Sequence, residues 1–134
     1  MLTTFAMLVV ALTGFYFVAL AAISLAAPAR ASGFLMGFAS SAAAHYAELT
    51  IRVVVGCAFV LVAPSVPFST AFTVFGWVLV GTTVVLFLVP WRLHREFAVR
   101  AVPRALRHLP LVAVASLLLG AFVIWSVAWS VIWS

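Results

Sequence analysis

PWRLHREFAVRAVPRALRHL, residues 90–109, decides how the chain is read. It holds Arg92, Arg95, Arg100, Arg104 and Arg107, five of seven basic side chains, and every one of the seven is an arginine. On either side lie residues 70–89 and 110–133, neither of which contains a charged side chain. About 20 apolar residues are enough for a helix to cross the hydrocarbon core of a bilayer. A basic stretch between two such runs therefore reads as a loop between two membrane spans.

The same logic extends to the N-terminal half. The run 3–27 is apolar and ends at Pro28, and a linker at 28–45 carries Arg30. Met1 to Ala6 contains no side-chain charge that could serve as a positive n-region, and the run from Phe5 to Ala27 exceeds the about 7–15 apolar residues of a signal peptide. It is read as a retained span, despite the small-residue pattern at Ala29-Arg30-Ala31. The remaining span is the awkward one. Pro64 and Pro67 stop the apolar run that starts at Val53, so a crossing helix must begin near Ala43 or Tyr46 and carry Glu48 and Arg52 with it. The two prolines favour a tight turn over 64–69. The expected architecture is all-α: one four-helix membrane domain over 1–134, with spans near 3–27, 46–66, 70–89 and 110–133.

Composition agrees. Hydrophobic residues make up 68% of the 134 and charged residues 7%, against about 25% charged in a soluble domain. Such a chain cannot cover its own surface in water. The net charge of +5 would point to nucleic acid in a soluble protein. Here the arginines flank spans, where topology and anionic headgroups account for them, and no nucleic-acid partner is expected. Six arginines lie in linkers 28–45 and 90–109, and none in the turn 64–69 or at either end. By the positive-inside rule both linkers are cytoplasmic and both termini are not, in a bacterial-type inner membrane. Cys57 is the sole cysteine, so neither an intramolecular disulfide nor a CxxC pair exists.

The two halves, 1–66 and 67–134, resemble each other. Gly14-Phe15 and Gly76-Trp77 share an offset of 62 with Pro28-Ala29-Arg30 and Pro90-Trp91-Arg92. Gly56-Cys57-Ala58-Phe59-Val60 resembles Gly120-Ala121-Phe122-Val123. A parallel tandem duplication of a two-span unit accounts for this; so does chance matching among common residues.

Three constellations carry chemical content. His45, Glu48 and Arg52 share one helical face, continued by Ser41, Gly56 and Phe59. An unpaired charge within a span costs about 2.5–3.5 kcal/mol, so Glu48 four residues ahead of Arg52 is a favourable ion pair. This face is either a proton- or anion-handling site or a pair at the interface with Arg52 reaching out to the headgroups. Residues 91–109 form the second: arginines at 92, 95, 100, 104 and 107 alternate with Leu93, Phe97, Ala101, Val102, Ala105, Leu106 and Leu109, as in an interfacial basic helix interrupted or restarted at Pro103. Glu96 and Arg100 are a further i,i+4 pair. It contacts anionic lipid or a partner. The third is Trp125, Trp129 and Trp133, an aromatic anchor or a surface for a lipophilic ring. Gly33-x-x-x-Gly37 is formally a close-packing motif, though in a linker.

No carboxylate, cysteine or histidine group has metal-ligand spacing along the chain, and no nucleophile sits in a recognisable motif. No metal or other cofactor and no catalytic residue is expected. The reading is a non-enzymatic accessory or scaffold subunit of a larger membrane complex. The alternatives are a small homo-oligomeric transporter or channel built on His45, Glu48 and Arg52, and a lipid- or quinone-binding protein.

Overall fold

The computed structural model describes residues 1–133, apart from the side chains of Ala105 and Leu106. All regular structure among the described residues is helical: α1 (Leu2–Ala26), α2 (Pro28–Gly37), α3 (Ala42–Val62), a single 3-10 turn (Ala63–Ser65), α4 (Ser69–Leu88), α5 (Trp91–Leu106) and α6 (Leu109–Ile132). Four stretches are long and apolar enough to cross a membrane: Leu2–Ala26, Ala42–Ser65, Ser69–Leu88 and Leu109–Ile132.

Local chemistry sets the ends. Pro28 opens α2 where a missing N–H costs nothing, and Pro110 does the same in α6. Ser41 caps α3, its Oγ accepting from the Ala44 N–H at 3.1 Å, so α3 starts four residues before the expected 46. The α-helix closes at Val62 because Pro64 cannot supply a donor, and the 3-10 turn carries the chain round. Phe68, at φ 61°, lies in the left-handed region at the start of α4, an unusual place for an aromatic residue. Its ring is held against Phe122 and Trp125 at centroid distances of 5.6 and 6.1 Å.

Two expectations are corrected. The stretch 28–45 is not a plain linker but contains α2, which packs on α5. The basic segment is not broken at Pro103; α5 runs through it. Ala105 and Leu106, expected on the apolar side of α5, have side chains outside the described residues.

Helix α1 packs along α6, α3 packs along α4, and α1 against α3 joins the two pairs. Small residues line these contacts: Ala6, Gly14, Ala21, Ser24, Gly56, Ala58, Gly76, Ala113, Gly120 and Ser126 are all buried. Bulky ones such as Leu8, Phe15, Trp77, Val85 and Leu118 face outward. That inverts the soluble pattern and matches helices that associate by close backbone approach.

The closest approaches are at two glycine pairs. A Cβ on Gly120 would lie 2.7 Å from the Gly14 carbonyl oxygen, and one on Gly76 would lie 2.7 Å from that of Gly56. Gly33 and Gly37 have nothing among the described residues within 4 Å of such a Cβ. The GxxxG motif in the linker is therefore not a packing surface among the described residues; Gly14, Gly56, Gly76 and Gly120 are.

Between the ends of the bundle remote from α2 and α5, the interior is filled by Val10, Phe59, Val62, Val66, Phe72, Val123 and Val127. The buried hydroxyls of Ser126 and Ser130 donate to Phe122 O and Val127 O in their own helix, each at 2.8 Å. Ser130 Oγ also lies 3.8 Å from Met7 Sδ on α1.

Candidate functional site

Helix α3 carries His45, Glu48, Leu49 and Arg52 on consecutive turns of one face. In the fold this face turns toward α4 and the start of α5, at the end of the bundle where α2 and α5 lie. His45 is fully buried, in the first turn after the Ser41 cap. Glu48 and Arg52 are partly buried, with side-chain exposures of 21% and 32%.

Arg52 does not reach away from its neighbours. Its Nε donates to Thr83 Oγ1 at 3.2 Å, and Nη2 donates to Thr82 Oγ1 at 3.5 Å, both on α4. Nη1 donates to Glu48 Oε1 at 3.5 Å, forming the expected i,i+4 pair. The two threonine hydroxyls pass their own protons back to α4 carbonyls, Thr82 to Val78 at 2.8 Å and Thr83 to Leu79 at 2.6 Å. They are thus left as acceptors for the guanidinium. A helix rises 1.5 Å per residue, so Thr83 lies roughly 8 Å inside the end of α4.

Helix α5 supplies a residue that spacing along the chain does not reveal. His94, in its first turn, brings its ring to 4.6 Å from that of His45, centroid to centroid, and its Nε2 to 4.0 Å from Glu48 Oε2. One donor atom from each of His45, Glu48 and His94 lies within 4.8 Å of the others. These three are a set that could hold a metal ion. Neither nitrogen of His45 has a hydrogen-bond partner among the described residues. The Tyr46 ring lies 5.1 Å from that of His45, centroid to centroid, and is stacked on Phe87.

The other expected residues lie elsewhere. Arg92, Arg95, Arg100, Arg104 and Arg107 are exposed along α5 and its C-terminal turn, while Ala98 is buried against the bundle. Glu96 and Arg100 border a shallow depression with Arg95 and Val99 but make no ion pair among the described residues. Trp125, Trp129 and Trp133 form an exposed ladder on α6, with successive centroids at 5.8 and 5.5 Å, far from the His45 cluster. Between α1 and α2 an open groove of about 650 Å³ is lined by apolar residues including Ile23 and Phe34, with Tyr16 and Arg30 also bordering it.

Comparison with protein families, curated proteins and solved structures found no match.

Proposed function

We propose that the protein is a small, non-enzymatic, multi-pass inner-membrane protein that serves as an accessory or scaffold subunit. The observation that carries this reading is the lopsided packing of α4. Helix α4 packs on α3, whereas α6 meets it mainly through rings at one end. Of its apolar window only 17% is buried, against 28%, 33% and 28% in the other three spans. Val74, Trp77, Val78, Val84, Val85 and Leu88 are left as a bulky apolar flank. In a bilayer such a flank meets either lipid or another helix, and van der Waals packing of this kind is what joins helices there. Purified in mild detergent, the protein should migrate in a stoichiometric complex larger than itself, and Val78→Arg should release it. Migration as a lone monomer or homo-oligomer would overturn the accessory reading.

The proposed orientation puts α2 and α5 at the cytoplasmic face, because the exposed arginines are concentrated there. A reporter active only outside the cytoplasm should be active when fused after Ser134 and silent when fused near Arg100. The opposite result would reverse the topology. On this face the α5 arginines are placed for anionic headgroups or for an acidic partner.

The two crossings support descent from a tandem duplication. The first long helix of each half packs on the second of the other half, α1 on α6 and α4 on α3. Gly14 and Gly76 occupy equivalent places, as do Gly120 and Gly56. The would-be Cβ of Gly120 meets Val18, and that of Gly56 meets Val80, again at an offset of 62.

A second reading, a small proton- or anion-coupled transporter, is favoured by the buried His45 beside the partly buried Glu48 and Arg52. Against it, the apolar interior around Phe59 and Phe72 closes the far half of the bundle.

A further inference from the structure

We propose that His45, Glu48 and His94 form a binding site for a divalent transition-metal ion of borderline softness, the class to which zinc belongs. The proposal is independent of the accessory reading and rests on the spacing of three donors.

The donors face one another without bonding to one another. His94 Nε2 and Glu48 Oε2 are 4.0 Å apart, at the outer limit of an ion pair and beyond a hydrogen bond, and all three donor atoms fit within 4.8 Å. Donors on a single tetrahedral zinc lie about 3.4 Å apart, given bonds of roughly 2.0–2.2 Å. The gap is therefore too wide for a hydrogen bond between the donors and within one small side-chain rotation of holding an ion. His94 and Glu48 have room for that rotation, since their side chains are 16% and 21% exposed.

His45 makes the stronger case. It is fully buried, and both ring nitrogens lack a partner among the described residues. A buried polar atom left without a partner is costly, and binding a cation is one way a nitrogen here gains one. Two imidazoles and one carboxylate suit zinc or ferrous iron and leave at least one coordination position open to water. Arg52 acts on the other carboxylate oxygen: it holds Oε1 and leaves Oε2 turned to His94. Thr82 and Thr83 keep the guanidinium on that side. Its positive charge weakens the hold on a cation, which favours an exchangeable ion over a permanent structural one.

The test uses the full-length protein in detergent, carrying an affinity tag without histidine. Equilibrium dialysis against zinc alone should give one saturable equivalent per chain. His94→Ala and Glu48→Gln should each weaken that binding at least tenfold, while His108→Ala, at an exposed histidine outside the cluster, should leave it unchanged. Cobalt(II) in place of zinc should show the visible absorption of a low-symmetry nitrogen- and oxygen-ligated site, a readout on the unmutated protein that depends on no variant folding. Glu48→Gln changes shape little and serves if His94→Ala does not fold. The proposal is overturned if the unmutated protein binds no zinc saturably, or if affinity survives both cluster substitutions, or if it is lost in His108→Ala instead.

Discussion

Gly76→Ala should destabilise the protein by about 1–3 kcal/mol, whereas Gly81→Ala, only five residues along the same helix, should be neutral or stabilising by up to about 1 kcal/mol. The two glycines differ only in what they face. A methyl group at Gly76 would stand 2.7 Å from the Gly56 carbonyl oxygen and 3.0 Å from the Val60 nitrogen. Both obstacles are backbone, so no rotamer change clears them; α3 and α4 must move apart and lose their tightest contact. At Gly81 nothing among the described residues lies within 4 Å, and alanine simply replaces a poorer helix former. Gly120→Ala should repeat the Gly76 result at the α1–α6 crossing, where the Gly14 oxygen and the Val18 nitrogen lie 2.7 and 3.0 Å from the added carbon. Unfolding in mixed detergent micelles measures all three. Equal effects at Gly76 and Gly81 would mean that the α3–α4 crossing is not as close as described.

Helix positions were largely legible in the chain because each apolar run is bounded by chemistry that ends a helix. The runs 3–27, 70–89 and 110–133 became helices 2–26, 69–88 and 109–132, each within a residue. Helix α3 was half legible: Pro64 marks its end in the sequence, whereas its start depends on a cap by Ser41 that hydropathy does not show. Helix α2 was missed for a related reason: ten residues with two glycines and an arginine look like a linker until they find α5 to pack on. At the candidate site the i,i+3 and i,i+4 spacings of His45, Glu48 and Arg52 predicted a shared face, because that relation is local. His94, Thr82 and Thr83 belong to other helices, and no spacing along one helix reports a contact across the bundle. Glycines 14, 56, 76 and 120 are repeat markers in the sequence, and mid-helix position alone does not mark a crossing, since Gly81 shares it with Gly76 and faces no neighbour among the described residues.

Arg52→Ala should cost more stability than Glu48→Gln, and the double substitution should be milder than the sum of the two. Removing the guanidinium strands the Glu48 carboxylate, 21% exposed and facing His94, and also leaves Thr83 Oγ1, in a buried residue, without its donor. Removing the charge on Glu48 leaves Arg52 still bonded to both threonines. When both charges go together, the stranded carboxylate is no longer there to be paid for. The pair is long at 3.5 Å and Arg52 is 32% exposed, so screening reduces the coupling to about 1 kcal/mol, well below that of a fully buried pair. A third variant separates pairing from anchoring. Thr83→Val removes the acceptor for Nε but keeps both charges and the shape, and should cost on the order of 1 kcal/mol by itself. Thermal unfolding of the two singles, the double and Thr83→Val, in detergent and in lipid, reads these terms. Additivity within error, with Thr83→Val silent, would place Arg52 in headgroups and water and not against α4. Coupling that persists in lipid would instead keep Glu48 fixed by Arg52 at the mouth of the His45–His94 cluster, with its second oxygen turned to His94.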